Sequence, residues 1–355
     1  MSKLNIETIA TYDTEQPADS IEWCPHGGWE DIFVCGTYQH ERDEEPSSAN
    51  RKGRILLHRF GAPDADTTDD SLTLLQTIER SAVLDQKWNP RVNNQLAAAG
   101  ADGTVAIYAL TDTTGPVQLE PKATAKLAGD ETENRNLLAL ALDWSPDGNR
   151  IVVSDSHGCV EMLSFENGLQ TVHSWKVHSY EAWTCAFSRH NENIVFSGGD
   201  DCFLCAHDVR CPCEPIMKGK NKTHSAGVTS LLSFPEREHI LLTGSYDEYI
   251  RLFDERQLKC SISELPLDGG VWRIRSNPLR EPEAILCACM YHNFSVVQLS
   301  ADDSFALVGV YGEHESICYG CDWQQVGKGY RSGRNVIATC SFYDHKLCVS
   351  EVTAA

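Results

Sequence analysis

Residues 243–256 read TGSYDEYIRLFDER. Two small residues lead into a tight turn that holds Asp247, and an alternating stretch from Tyr249 to Phe253 then runs into Asp254. Two short strands joined by turn chemistry make a β-hairpin. The same pattern recurs in AGADGTVAIY around Asp102, SDSHGCVEML around His157 and SGGDDCFLCAHD around Asp201. It returns in CMYHNFSVVQL around His292 and TCSFYDHKLCVS around Asp344. Successive landmarks lie 55, 44, 46, 45 and 52 residues apart.

Most of these hairpins follow a strand that ends near a proline: KWNP at 87, DWSP at 143, RSNP at 275, and a looser copy, SFPE, at 233. Four-stranded units repeating at about 40–45 residues are the signature of a WD-type β-propeller. A further unit comes from IEWCP at 21, FVCGTYQ at 33 and GRILLHRF at 53, interrupted by the charged insertion HERDEEPSSAN. GAPDADTTDDS at 61 and the stretch 111–136 read as polar surface loops. The last unit, ICYGCDW through HKLCVSEV, lacks a fourth strand, which LNIETIATYD at 4–13 can supply. The expectation is an all-β, seven-bladed propeller over residues 1–355, closed by the N-terminal strand, with its sheet edges protected.

Composition narrows the partners. With 30 basic and 51 acidic residues the formal charge is −21, which argues against a nucleic-acid footprint and favours a cationic ligand if the acids face the site. No h-region of a signal peptide and no membrane-length apolar run is read, so no membrane association is expected. The 15 cysteines are odd in number and many sit in apolar strands, so reduced, buried thiols and a cytoplasmic setting are expected. Cys202, Cys205, Cys211 and Cys213 mimic metal spacing, but residues three apart on a strand face opposite sides, as do Cys318 and Cys321. No metal and no cofactor are expected, and a monomer is the expected state.

Aligning the innermost strands places one residue per blade at the channel mouth: Asp19, Leu84, Leu140, Trp183, Thr229, Trp272 and Tyr319. The hairpin turns give a second ring of Tyr38, Ala101, Ser156, Asp200, Tyr246, Tyr291 and Tyr343. Both rings are lopsided, with Leu, Ala and Ser in blades 2 and 3 and Trp, Tyr and Asp in blades 4, 6, 7 and 1. His178 and His224 each precede a strand-end aspartate by 30 residues and read as structural, tying turns to the sheet. Asp102, Asp201, Asp247 and Asp344 read as turn-holding residues.

The runs HSYEAWTCAF, FSGGDDCFLCAHDVR, LLTGSYDEYIRLFDER, LDGGVWRIRSNP and IATCSFYDH together resemble the diphthine methyl ester hydrolases, WD-repeat proteins of diphthamide biosynthesis. The resemblance covers most of blades 4 to 7 and weakens over blades 1 to 3. It implies hydrolysis of the methyl ester of diphthine methyl ester on elongation factor 2, which would be the protein partner. Diphthine carries a trimethylammonium group, and aromatic faces hold such cations at about 0.5–2 kcal/mol per contact. Trp183, Tyr246, Trp272, Tyr319 and Tyr343 are therefore the substrate-binding candidates.

The hydrolytic group is harder to read. There is no G-x-S-x-G elbow and no H-E-x-x-H. The catalytic candidates are Glu181, Asp200, His292 and the Asp344–His345 pair as general bases, with Arg273 as a partner for the developing oxyanion or for a carboxylate. The rival reading is a non-catalytic adaptor, since HDVR at 207 and FDER at 253 resemble the W-D-x-R box of ubiquitin-ligase substrate receptors. An adaptor should present a shallow patch, an esterase a concave pocket beside Trp183, Trp272 and Tyr343.

Overall fold

The computed structural model describes residues 3–40, 51–61, 71–92, 94–113, 115–128, 136–165, 168–211, 217–219, 223–234, 237–278, 283–325 and 335–355. Every helix or strand among them is a strand, and the strands form seven antiparallel sheets arranged as the blades of a propeller. Blade 1 contains Ala18–Trp23, Ile32–Thr37, Arg51–Phe60 and Leu72–Ser81, with the short Gln39–His40 at one edge. Blade 2 contains Val83–Trp88, Gln95–Gly100, Thr104–Thr111 and Gln118–Lys126. Blade 3 runs from Ala139–Trp144 to Gln170–Lys176, blade 4 from Thr184–Phe187 to Met217–Gly219. Blade 5 runs from Val228–Ser233 to Ser263–Pro266, blade 6 from Val271–Ser276 to Phe305–Tyr311. Blade 7 is built from Cys318–Trp323, Asn335–Ser341 and Lys346–Ala354, with Leu4–Asp13 paired antiparallel on its outer edge. The innermost strands contact one another in order around the ring, blade 7 against blade 1.

Alternation along each strand explains how the blades adhere. Successive side chains point to opposite faces, so each strand feeds the two interfaces on either side of its blade. Leu241 and Phe253 of blade 5 pack on Phe196 of blade 4, while Leu242 and Leu252 pack on Ile274 and Ile285 of blade 6. Seven buried clusters result, one between each pair of neighbouring blades. Close approach requires glycine at recurrent points. A Cβ on Gly198 would lie 2.6 Å from a Val228 methyl, and one on Gly244 would lie 2.6 Å from the Val271 carbonyl oxygen.

Turn chemistry follows the sequence reading. Asp102 accepts from Thr104, Asp201 from the Ser179 and Phe203 amides, Asp247 from the Ser225 amide and Asp344 from the Glu315 amide. The His178 ring bridges Asp201 at 2.8 Å and Ser197 at 2.9 Å, and His224 Nε2 meets Thr243 Oγ1 at 2.9 Å. A third histidine of this kind, His314, bonds Ser341 and Thr339 in blade 7.

Two local expectations are corrected. The stretch 111–136 is not all loop, because Gln118–Lys126 is the outer strand of blade 2, with Leu119 and Ala125 buried. Outer strands face water on one side, so their composition imitates a loop. Cys202 sits in the turn, with φ of 67°, and not on the strand Leu204–Asp208 that carries Cys205. The described cysteines are free thiols, whereas Cys213 and most of the two acidic insertions, at 41–50 and 62–70, lie outside the described residues.

Candidate functional site

The innermost strands share an irregularity. In six of them the pairing register slips by one residue, between Ala18 and Ser20, Val83 and Asp85, Ala139 and Ala141, Val228 and Ser230, Val271 and Arg273, and Cys318 and Gly320. The residues skipped are Asp19, Leu84, Leu140, Thr229, Trp272 and Tyr319. A bulge leaves one residue outside the ladder and re-aims its side chain. Here each skipped residue lines the channel mouth, and Trp183, just ahead of the short blade 4 strand, completes the ring.

Above this ring lies a pocket of about 730 Å³. One wall is aromatic: Trp183, Tyr246, Trp272, Tyr319, Phe342 and Tyr343, with Tyr38 next to Phe342 at 5.9 Å between ring centroids. Neighbouring ring centroids are 5.6 Å apart for Trp183–Trp272, 5.7 Å for Tyr246–Trp272, 5.1 Å for Trp272–Tyr319 and 5.4 Å for Tyr319–Phe342. Such spacings are those of rings in contact. The rings therefore form a continuous wall, not a cage with a space between them, and a cation can meet only their cavity-facing surfaces. Leu84, Leu138 and Leu140 form the apolar side. All five substrate-binding candidates line this pocket, and Phe342, which the ring alignment omitted, links Tyr319 to Tyr343.

The catalytic candidates are more scattered. His345 lines the pocket, whereas Glu181, Asp200 and His292 are not among the described residues of its wall. Asp200 accepts a hydrogen bond from Trp183 Nε1 at 3.0 Å, so it orients an aromatic ring. Glu181 touches this network through its carbonyl oxygen, which accepts from the Asp200 amide. His292 is exposed in the blade 6 turn, and a Cβ on Gly269 would lie 2.8 Å from the His292 Cβ. Burial pushes the Tyr246 hydroxyl up to about 12, with Asp200, Tyr291 and Glu181 adding to the shift. Burial also raises Tyr319, and Asp19 is the next contributor, so both phenols are hydrogen-bond donors at neutral pH.

Arg273 lies beneath the ring. Its Nη1 donates to Asp85 at 2.8 Å and its Nη2 to the Leu84 carbonyl at 3.4 Å. Asp19 faces the same space from blade 1 and is 5% exposed. Burial raises its carboxyl to about 7; Arg273 opposes the rise and Asp85 adds to it. Sequence alignment placed Asp19 on the ring without marking it as a reactive group. The available signal was its being the only acid among seven ring residues.

Deeper in the channel, charges are paired. Lys87 meets Asp85 at 2.9 Å, Arg275 meets Glu22 at 2.6 Å and Arg189 meets Asp143 at 2.5 Å. Asp85, Asp143 and Asp322 also accept backbone amides of the next blade, from Leu142, Phe187 and Trp23 respectively. All of these residues but Phe187 line a second cavity of about 310 Å³ below the first. Among the described residues no group of histidine, cysteine, aspartate or glutamate has the arrangement of a metal site.

Fold and pocket together define a WD40-type β-propeller with a ligand-sized cavity at one mouth of its channel. The family models that match are the anaphase-promoting complex subunit 4 WD40 domain, over residues 109–190, and the WD domain, G-beta repeat, over 217–254. A chain in the crystal structure of the mitotic checkpoint complex superposes with a TM-score of 0.71 at 14% identity, covering 98% of this chain and 93% of that one, a likeness of fold alone. The sequence is 35% identical to diphthine methyltransferase of Mus musculus over 90% of this chain and 69% of that protein. It is 32% identical to diphthine methyltransferase of Schizosaccharomyces pombe over 99% of both. The chain belongs to the diphthine methyltransferase family. The relatives' name speaks of methyl transfer, where the sequence resemblance above implied ester hydrolysis.

Proposed function

We propose that this protein removes the methyl ester from diphthine methyl ester on elongation factor 2, giving diphthine and methanol, as a step of diphthamide biosynthesis. The observation that carries this reading is the mouth pocket, whose wall is aromatic and whose floor holds a carboxylate. A trimethylammonium group suits aromatic faces and negative potential. The positive charge beside the ester also makes its carbonyl more electrophilic, so a water activated by a general base is a sufficient nucleophile. The adaptor reading has less behind it, because the pocket is concave. The two arginines of its motif are also already bonded, Arg210 to Asp208 at 2.5 Å and Arg256 to Asp254 at 2.7 Å.

The direction of methyl chemistry is what separates this reading from the relatives' name. Purified protein is mixed with methyl-diphthine elongation factor 2, and the modified peptide is followed by mass spectrometry. Hydrolysis lowers its mass by one methylene and releases methanol without any methyl donor. A mass that rises only when a methyl donor is added would replace hydrolysis with transfer.

A further inference from the structure

Beneath the aromatic ring lies a small cavity of about 30 Å³, continuous in its lining with the mouth pocket above. That is room for a water molecule, provided polar partners surround it. Asp19, Arg273 and Thr229 line it, under the rings of Trp183 and Trp272. No hydrogen bond to the Asp19 carboxylate is found among the described residues, although the side chain is almost fully buried. Arg273 Nε is likewise buried without a hydrogen-bond partner, its Nη atoms being engaged elsewhere. Buried acceptors and donors are normally satisfied, because an unmade bond costs about 1–3 kcal/mol. Here a carboxylate with no protein hydrogen bond and an arginine whose buried Nε has no partner both line one water-sized space. No fold requirement explains that, since the other channel aspartates are tied to basic side chains or to the next blade.

We propose that Asp19 is the general base of this site and that Arg273 Nε–H is the donor for the oxyanion. The assignment rests on the hydrolytic reading above. Asp19 takes a proton from a water in the small cavity as the water oxygen bonds to the ester carbonyl carbon. The carbonyl electron pair moves onto its oxygen, where Arg273 meets the charge. Collapse restores the carbonyl and breaks the bond to the methoxy group. The leaving methoxide takes the proton back from Asp19 as methanol, and the new carboxylic acid ionises to solvent. A carboxyl poised near 7 is half available as base at neutral pH, and the groups that face it are Arg273, Asp85, Tyr319 and Cys340.

The test compares full-length wild type, Asp19→Asn and Asp19→Glu on elongation factor 2 carrying the methyl ester. Methanol release, kcat and KM separately, pH profile and thermal midpoint are measured. Asp19→Asn should fold, bind with little change in KM and lose about 10²–10⁴-fold in kcat. The wild-type profile should rise through about pH 7, and the residual Asp19→Asn activity should lack that limb. Asp19→Glu should recover part of the rate. A folded Asp19→Asn protein with wild-type kcat overturns the assignment, as does one that changes only KM, which would make Asp19 a cation-holding group. Wild-type protein that releases no methanol sinks the hydrolytic reading itself, and the base role with it.

Discussion

Asp19 and Asp85 stand on the innermost strands of neighbouring blades, reach into one channel and are 5% and 2% exposed. Burial alone pushes both carboxyls up. At Asp85, Lys87, Arg273 and Arg275 outweigh that push and hold it down at about 2. At Asp19 a single arginine opposes burial, and Asp85 itself works against it, leaving the carboxyl at about 7. The difference is one of neighbours, not of depth. The lower channel uses charge to stitch blades together: even Asp322, whose carboxyl burial and Glu22 push up, accepts the Trp23 amide of the next blade. The mouth keeps a carboxylate unpaired, which is costly for stability and useful only if something is to be bound or deprotonated.

The largest effect should come from breaking the paired end. Asp85→Ala leaves Lys87 and Arg273 without their buried partner, so unfolding by denaturant should show a loss of about 3–5 kcal/mol. A loss below about 1 kcal/mol would mean that water screens the lower channel and that its ion pairs do not hold the blades together. The unpaired end should respond with the opposite sign. Folded Asp19 keeps its proton up to about 7, against the ordinary 3.8, so folding takes up a proton between those values. Stability from this group therefore falls as pH rises from about 4 to about 7 and is flat above. Asp19→Asn should raise Tm at pH 8 and converge on wild type near pH 4. A lower Tm at pH 8 would show that the carboxylate has a stabilising partner.

Smaller effects sharpen the boundary between scaffold and site. His224→Ala removes the bond to Thr243 and should cost about 1–3 kcal/mol of stability with substrate KM unchanged. Trp272→Ala removes the ring that touches Trp183, Tyr246 and Tyr319, and should weaken substrate binding by on the order of 1–2 kcal/mol, roughly tenfold, in a folded protein. Wild-type binding by that variant would remove the aromatic wall from recognition. Smallest of all, a chelator should leave methanol release unaltered; activity lost to it and restored by zinc would require a metal step.

Much of the scaffold was legible because its signals are local. Turn aspartates, alternating strands and a recurring interval survive in any single stretch of chain, as in residues 243–256. The aromatic members of the site were legible for the same reason, since aligning the strands puts Trp183, Trp272 and Tyr319 at equivalent positions. The outer strand Gln118–Lys126 was not, because a strand with one wet face has the composition of a loop. Nor were the surroundings of Asp200 and His292: Asp200 is bonded to the Trp183 indole, and His292 is exposed in its turn and not among the described residues of the pocket wall.

Local alternation and turn chemistry thus carry the number and order of blades, and they hold whatever the rest of the chain does. Which buried carboxylate is paired is settled across the channel, between residues such as Arg273 and Asp85 that are 188 positions apart. Six register slips aim the mouth residues inward, and a slip has no marker in composition because it depends on how two strands settle against each other. Electrostatic energy depends on distance and burial, and only the closed ring sets those for Asp19.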